Sequence, residues 1–236
     1  MKWRSLPESG PYSDTRPLRQ IFAERKETIA QYVPADVLAV HARTIAWLKA
    51  QELASKALGV GERSGAQAPR FELPDHDGKR VSSAELLAKG RLVVCFIRGR
   101  WCPFCVGQME AMNYVAPQIA AAGASLVAIS PQTEKQAYFM RDQHQLKFPL
   151  LVDAHNQVAR QFGLVYRVPD EQRGLYRSTF VNLPFSNGDT SWELPIPATY
   201  VIASDGTILF AAVNEDYTER PEPLAILSVL ETGAER

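Results

Sequence analysis

Residues 92–112, LVVCFIRGRWCPFCVGQMEAM, decide the fold of this chain. The segment opens with a run of apolar, β-prone residues and passes two arginines and a tryptophan. It then reads Cys-Pro-Phe-Cys before a helical pattern. Proline is tolerated in the first turn of a helix, so Pro103 is compatible with a helix that begins beside the first cysteine. The pattern predicts a buried strand followed by a helix, with Cys102 and Cys105 at the junction.

Strand and helix patterns alternate on both sides of this junction. A small hairpin centred on residues 77–78 and a short helix precede it. The segments that follow are strands at 125–130 and 148–153, helices at 133–146 and 155–164, a hairpin over 196–213 and a last helix at 221–231. The handedness of crossover connections makes the first two long strands parallel neighbours. We therefore expect an α/β fold with a central mixed sheet flanked by helices, and the thiols at the carboxyl end of a strand.

Two further helices are predicted before the main domain, at residues 16–33 and 35–58, after an irregular start at residues 1–12. We interpret residues 1–60 as an N-terminal helical extension and residues 61–236 as the main domain. The extension carries no cluster of reactive side chains, so we expect it to pack on the main domain or on a second subunit. Residues 165–194 show no regular pattern and are expected to cover part of the site.

The composition argues against several classes of function. The 236 residues carry a formal net charge of +0 at pH 7, so no basic surplus points to nucleic acid or acidic lipid. No apolar run approaches the length of a membrane span, and the first residues lack the apolar core of a secretory signal. We expect a cytoplasmic protein without nucleic-acid or membrane partners.

The close pair of cysteines points to redox chemistry. Three cysteines are too few for a disulfide scaffold, which favours a redox or metal-binding role for the pair. A helix N-terminus and neighbouring cations lower the pKa of a thiol, and Arg98 and Arg100 supply the cations. We therefore expect at least one of Cys102 and Cys105 to be a thiolate at neutral pH, close enough to the other for a disulfide. Cys95, inside the strand, is assigned to the core.

A structural zinc site is the alternative explanation of the pair. Zinc needs four ligands, usually as two pairs, and the sequence has no second cysteine pair and no two histidines at ligand spacing. We therefore expect neither a metal nor a cofactor. The two arginines also have an ordinary alternative, since charges that follow a strand often lie in solvent.

The order of elements, the CxxC at the strand–helix junction and the segment IPATYVI at 196–202 resemble the thioredoxin fold. In that fold a cis-proline faces the active cysteines, and the resemblance places it at Pro197, which would leave the backbone of Ile196 open to pair with a substrate. An ordinary trans-proline at the start of a strand is the alternative.

More narrowly, the chain is similar to the peroxiredoxin-like branch of the alkyl hydroperoxide reductase/thiol-specific antioxidant family. The matching stretches lie within about residues 60–230 and are APRFELPDHDGKRVS, VVCFIRGRWCPFC, LVAISPQ, FPLLVD, LPIPATYVIASDGTI and DYTERPEP. In peroxiredoxins the peroxide-attacking cysteine matches Cys105, and the threonine three residues before it matches Cys102. In thioredoxins the first cysteine of the pair is the nucleophile, which would be Cys102.

The chain departs from the family pattern at two positions. Arg98 stands where the usual proline precedes the active loop, and the family's later catalytic arginine falls on Pro197. Another cation must then stabilise the thiolate and the peroxide. The candidates are Arg98, Arg100 and Arg220.

The function implied by the resemblance is a thiol peroxidase that reduces hydrogen peroxide or organic hydroperoxides. One cysteine becomes a sulfenic acid and the other condenses with it to a disulfide. Thioredoxin, glutaredoxin or another thiol donor then restores the pair. No cysteine follows Cys105, so we expect no resolving thiol near the C-terminus. The family and the helical extension both favour a homodimer.

Two other classes of function stay open. In a thiol–disulfide oxidoreductase, Cys102 would attack a substrate disulfide and Cys105 would resolve the mixed disulfide. In a non-enzymatic redox-sensing module, the helical extension would bind a partner, and oxidation would change the assembly rather than drive turnover.

Overall fold

The computed structural model describes residues 16–179 and 181–232. The predicted irregular start at residues 1–12 lies outside them. The helices are α1 (Leu18–Tyr32), α2 (Ala35–Ala50), α3 (Leu53–Lys56), α4 (Ser83–Leu87), α5 (Pro103–Ala121), α6 (Glu134–Gln143), α7 (Gln157–Gln161), α8 (Asp170–Ser178), α9 (Leu183–Asn187) and α10 (Pro223–Thr232). The strands are β1 (Glu72–Pro74), β2 (Arg80–Ser82), β3 (Arg91–Phe96), β4 (Ala124–Ser130), β5 (Leu150–Val152), β6 (Val165–Arg167), β7 (Glu193–Pro195), β8 (Ala198–Ile202) and β9 (Ile208–Val213). Short 3-10 helices lie at Gly61–Arg63 and Ala154–Asn156.

The central sheet has five strands in the order β5-β4-β3-β8-β9. Strands β3, β4 and β5 are parallel, whereas β8 is antiparallel to both β3 and β9. This mixed sheet and the separate β1–β2 hairpin confirm the predicted α/β architecture. The parallel pair β3–β4 is joined by α5, the crossover that the sequence predicts. In the described part of the chain, no helix is both long and apolar enough to span a bilayer.

Strand β3 lies at the centre of the molecule and is buried on both faces. Val93 and Cys95 point into a core formed with α1, α5, α6 and α10. Leu92 and Val94 point into a second core on the opposite face, formed with α2, α4, α7 and α8. The side chain of Cys95 is completely buried, which confirms its assignment to the core.

The first helix of the extension packs on α5, the helix that carries the cysteines. The rings of Phe22 and Phe104 meet edge to face, with their centroids 5.2 Å apart. A guanidinium nitrogen of Arg25 donates a hydrogen bond to the carbonyl oxygen of Pro103. The close approach depends on Gly107, because a Cβ there would lie 2.6 Å from Arg25 and 2.8 Å from Phe22. The prediction that the extension packs on the main domain is therefore confirmed for α1.

The second helix of the extension ends earlier than predicted. The pattern predicts a helix to residue 58, but α2 stops at Ala50 because Glu52 adopts the left-handed conformation, with φ 54°. The short helix α3 follows, and the amide of Leu58 then donates a hydrogen bond to the carbonyl oxygen of Phe162 in the main domain. The boundary between extension and main domain at residue 60 stays a prediction.

The segment 165–194 is more regular than the sequence suggests. It contains the antiparallel pair β6–β7 and the helices α8 and α9. Each element is too short to show a clear period, and Pro169 and Pro184 stand at the starts of the two helices rather than in a loop. Helix α8 contacts α2 and turns Tyr176 inward. The expectation of an irregular stretch was wrong.

Candidate active site

The two cysteines lie where strand β3 gives way to helix α5. Cys102 is the N-cap of α5 and Cys105 is the third residue of the helix, which brings the two side chains together. Both are buried, with 1% and 0% of their surface exposed. The loop before them turns at Gly99, whose φ is +140°, and a Cβ there would lie 2.8 Å from the indole nitrogen of Trp101. The predicted position of the pair is confirmed.

Cys105 is surrounded by hydrogen-bond donors. The backbone amide of Arg98 lies 3.4 Å from its Sγ, and Nη2 of Arg220 lies 3.3 Å from it. Cys102, at the N-cap of the same helix, is its third polar neighbour. Burial by itself would raise the pKa of Cys105. The interaction with the Cys102 thiol and the charges of Arg220 and Arg98 outweigh burial, so the pKa lies below its usual value.

The pKa of Cys102 shifts in the opposite direction. Burial raises the pKa of its thiol well above the usual value, and the hydrogen bond and charge of Cys105 raise it further, although Arg98 and Arg220 act against this shift. The pair therefore holds one negative charge on Cys105 and one proton on Cys102. The thiolate thus lies at the second cysteine of the pair, the position that the resemblance to peroxiredoxins assigns to the attacking residue.

Arg220 comes from the loop that precedes α10 and is fixed by three partners besides the thiolate. Its Nε donates to Oε1 of Gln108 at 2.6 Å, and its Nη1 donates to the carbonyl oxygens of Tyr217 at 2.9 Å and Glu219 at 2.6 Å. The amide of Gln108 in turn donates to Oγ1 of Thr199 at 3.0 Å. These contacts aim the guanidinium at Cys105.

Gln108 is a site residue that the sequence analysis missed. It follows Cys105 by one helical turn, so it lies on the same face of α5, and this spacing is the signal that points to it. Its side chain is 1% exposed, and both of its amide atoms are used, one for Arg220 and one for Thr199. A buried polar side chain with every contact directed at the site positions the group it holds.

We predict that Gln108→Leu slows the reaction of Cys105 with peroxide by about 10- to 100-fold, because an Arg220 without this anchor loses its alignment with the thiolate. Stopped-flow measurement of the second-order rate constant checks it. Gln136→Leu is the matched control, since Gln136 holds Arg100 in the same manner, at 3.0 Å from its Nη1. Equal rates in both variants and the wild type would contradict the role of Gln108.

Arg98 is buried in an aromatic cage beside Cys102. Its Cζ lies 4.7 Å from the ring centroid of Trp101 and 4.0 Å from that of Tyr217, and its Nη2 donates to the hydroxyl of Tyr176 at 2.6 Å. Its side chain is 2% exposed, its Nε has no hydrogen-bond partner, and none of the ion pairs among residues 16–179 and 181–232 includes it. Burial opposes its charge, but the neighbouring tyrosines and Cys102 outweigh burial and raise its pKa.

Arg100, the third candidate cation, is directed away from the thiols. Its Nη1 donates to Gln136, and its Cζ lies 5.8 Å from the ring centroid of Phe139 on α6. Its backbone amide donates to Oε1 of Gln132 at 3.0 Å. The structure therefore brings Arg98 and Arg220 to the cysteine pair and does not bring Arg100 there.

The prediction of a cis-proline at Pro197 was wrong. No peptide bond within the described residues is cis, so Pro197 follows Ile196 through a trans bond, at the start of strand β8 where a proline is readily accommodated. The amide of Ile196 is not open to a substrate either, because it donates to the carbonyl oxygen of Leu164 at 2.8 Å. Pro197 instead lines an open cleft of about 220 Å³ together with Thr199 and Arg220.

A histidine of the extension is tied to the cage around Arg98. Nδ1 of His41, on α2, lies 2.8 Å from the hydroxyl of Tyr217 and 3.2 Å from the side-chain nitrogen of Gln172 on α8. Burial and the charge of Arg98 lower the pKa of His41 to about 4. This histidine is therefore neutral in the folded protein at neutral pH.

We predict that this histidine makes the fold sensitive to acid. The unfolded chain protonates His41 near its ordinary pKa of 6.5, whereas the folded chain does so only near 4. Between these values the unfolded state binds more protons, so the free energy of unfolding falls as the pH falls from about 6.5 to about 4. Urea titrations across this range check it. The decline should be shallower in His41→Gln, and identical slopes for the two proteins would contradict the prediction.

A low-pKa thiolate with a protonated second thiol, at the strand–helix junction of a thioredoxin-like sheet, defines the thiol-based oxidoreductases. Comparison with known proteins narrows this class. Residues 64–211, more than half of the chain, match the model of the AhpC/TSA family, and the chain belongs to that family. It is a peroxiredoxin-like oxidoreductase whose class of chemistry is thiol-dependent peroxide reduction.

The chain is also similar to individual relatives and solved structures. A Mycobacterium tuberculosis protein provisionally named a peroxiredoxin is 29% identical over 150 residues, which cover 64% of this chain and 84% of that protein. The thiol-disulfide oxidoreductase ResA of Bacillus cereus is 23% identical over 159 residues, covering 67% of this chain and 74% of ResA. The crystal structure of peroxidoxin BcpB from Mycobacterium tuberculosis shares the fold, with TM-score 0.56, 24% identity, and coverage of 73% of this chain and 97% of that one.

Proposed function

We propose that Cys105 is the peroxide-attacking residue of a thiol peroxidase that acts on hydrogen peroxide or organic hydroperoxides. The observation that carries the proposal is the environment of its sulfur: a guanidinium nitrogen of Arg220 at 3.3 Å, the amide of Arg98 at 3.4 Å and the thiol of Cys102. The thiolate attacks one peroxide oxygen, the O–O bond breaks, and Cys105 becomes a sulfenic acid. The guanidinium of Arg220 stabilises the charge that moves onto the departing oxygen.

Cys102 is the resolving thiol in this proposal. It condenses with the sulfenic acid of Cys105, water leaves, and a disulfide forms between residues that are already in contact. Two electrons from thioredoxin or another thiol donor return both sulfurs to thiols. The open cleft beside Pro197 is the proposed approach for a small peroxide, since Arg220 both lines this cleft and contacts the sulfur of Cys105.

Thiol–disulfide exchange is the second candidate, favoured by the likeness to ResA and by the CxxC itself. In that mechanism Cys102 is the nucleophile, yet Cys102 holds its proton and Cys105 carries the charge. The backbone of Ile196, which would pair with a substrate strand, is occupied by Leu164. These contacts favour the peroxidase.

The decisive experiment mixes the fully reduced protein with one equivalent of hydrogen peroxide and follows tryptophan fluorescence by stopped flow. Trp101 adjoins the pair and reports its oxidation. A fast change whose rate rises with peroxide concentration supports the peroxidase. A reaction no faster than that of a free thiol contradicts it, and reduction of a disulfide substrate at a high rate would then support exchange.

A homodimer, a cytoplasmic location and an N-terminal helical extension over residues 1–60 are further parts of the proposal. Reduced thiols that must be restored by a thiol donor suit a reducing compartment. Size-exclusion chromatography with light scattering tests the dimer. A monomeric mass at micromolar concentration would contradict it.

A further inference from the structure

The peroxidase reaction needs a proton for the oxygen that departs from the peroxide. When the O–O bond breaks, this oxygen leaves as hydroxide or alkoxide unless a proton reaches it. Cys102 and Cys105 are 1% and 0% exposed, so bulk water has little access to the sulfurs. A protonated side chain that already adjoins Cys105 can supply it and leave the sulfur as a neutral sulfenic acid.

Three donors adjoin the sulfur of Cys105, and only one of them can release a proton at neutral pH. The backbone amide of Arg98 and the guanidinium of Arg220 keep their protons. The third neighbour is the thiol of Cys102, at the N-cap of the same helix and buried with Cys105, which acts on Cys105 as a hydrogen-bond donor does by lowering its pKa. A thiol is several orders of magnitude more acidic than water, so it can protonate a departing hydroxide or alkoxide.

We propose that Cys102 is the general acid of peroxide cleavage and that Arg98 then holds the Cys102 thiolate for the second step. This inference rests on the proposed peroxidase function. In the first step, Cys105–S⁻, ROOH and Cys102–SH give Cys105–SOH, ROH and Cys102–S⁻. In the second, the Cys102 thiolate attacks the sulfenic sulfur, the S–S bond forms as the S–O bond breaks, and hydroxide leaves to be neutralised by the buffer. The two electrons lost by the sulfurs are those gained by the peroxide.

The cage around Arg98 has the properties that this second step needs. A fully buried cation is costly, and none of the ion pairs among the described residues supplies Arg98 with a carboxylate. Its Nε is unpaired, and its charge acts on Cys102. An anion that forms on Cys102 would satisfy this cation. The rings of Trp101 and Tyr217 keep the guanidinium in place while that anion is absent.

The test compares two oxidants whose leaving groups differ in basicity. Hydrogen peroxide releases hydroxide, which needs a proton, whereas peracetic acid releases acetate, which does not. Both oxidants react with the same Cys105 thiolate, so any change in its pKa affects both rates alike. We expect Cys102→Ala to slow sulfenic acid formation with hydrogen peroxide by about 100-fold or more and to change the rate with peracetic acid far less.

Stopped flow combined with dimedone trapping and mass spectrometry measures both rates. Equal loss with the two oxidants would overturn the proposal, because Cys102 would then only shape the thiolate, and so would the absence of any loss. Failure of the peroxidase function itself is a separate result, in which the wild-type protein reacts with both oxidants no faster than a free thiol.

The role of Arg98 is tested on the second step. We expect Arg98→Met to form the sulfenic acid but to close the disulfide about 10-fold or more slowly, so that the dimedone adduct accumulates, while Arg98→Lys closes faster than Arg98→Met. Circular dichroism verifies the fold of each variant. Closure at the wild-type rate in Arg98→Met would overturn the assignment.

The pH dependence of disulfide closure in the wild-type protein tests the same proposal without a substitution. The charged and titratable groups around Cys102 are Cys105, Arg98, Arg220, Tyr166, Tyr176 and Tyr217. Once Cys105 is a sulfenic acid, Cys102 has given up its proton in the first step. Burial still opposes the Cys102 thiolate, but the negative charge of Cys105 is gone and the two arginines remain beside it. Disulfide closure should therefore stay fast well below pH ~8.5, the usual pKa of a free thiol. Closure that slows tenfold per pH unit below that value would overturn the proposal.

Discussion

Replacement of Cys105 with serine is expected to abolish peroxide reduction. A serine hydroxyl keeps its proton at neutral pH even beside Arg220, so the variant has no nucleophile to attack the O–O bond. Its rate of peroxide consumption should fall to that of the buffer, the largest effect of any single change in this protein. A peroxide electrode or a ferric–xylenol orange assay measures the loss under single-turnover and steady-state conditions.

Cys95→Ser is the matched control for this result. Cys95 lies on the adjacent strand and is completely buried, and burial raises the pKa of its thiol to about 12. It takes no part in the proposed chemistry, so the variant should react with peroxide at close to the wild-type rate. Retention of activity in Cys105→Ser together with its loss in Cys95→Ser would contradict the assignment of the nucleophile.

Replacement of Arg220 with methionine is expected to lower the rate constant at neutral pH by about 100- to 1,000-fold. Two effects combine in this loss. The guanidinium that lies 3.3 Å from Sγ no longer favours the thiolate, so the pKa of Cys105 rises. The departing oxygen also loses its nearest positive charge.

The pH profile separates the effect of Arg220 from a general loss of structure. In the wild type the pKa of Cys105 lies below its usual value, so the rate should be nearly constant around neutral pH. In Arg220→Met the pKa rises, fewer molecules carry the thiolate at pH 7, and the rate should climb as the pH increases. Stopped flow between pH 5 and pH 9 measures both profiles. Arg80→Met, at an exposed ion pair with Glu72, is the control, and superimposable profiles for Arg220→Met and wild type would contradict the role of Arg220.

The site is predictable from the sequence where its residues are close along the chain. The apolar run, Pro103 and the spacing of Cys102 and Cys105 suffice to predict the junction of β3 and α5, because each is a local property. Local patterns also give the order of elements along the chain, and crossover handedness makes β3 and β4 parallel neighbours. The thioredoxin-like fold followed from these features and from the family resemblance together.

Long-range contacts account for what the sequence analysis left open or got wrong. Arg220 was one of three candidate cations. It lies 115 positions after Cys105 in the chain, and only the path of the loop before α10 brings its guanidinium to the sulfur. The cis-proline at Pro197 was carried over from the fold family, and local sequence offers no evidence against it. Gln108 was missed because a glutamine on a helix is ordinarily exposed, and its burial depends on Thr199 and Arg220.

The contact between α1 and the first turn of α5 limits how far the chain can be shortened from its N-terminal side. The family match starts at residue 64, and trimming the chain to that point would look harmless on sequence grounds. Yet Arg25 binds the carbonyl oxygen of Pro103, between the two cysteines, and Phe22 covers Phe104. A shortened chain would expose the turn that fixes both thiols. The extension is therefore part of the support of the reactive pair, and the shortest chain that keeps this support begins before α1 and not at residue 64.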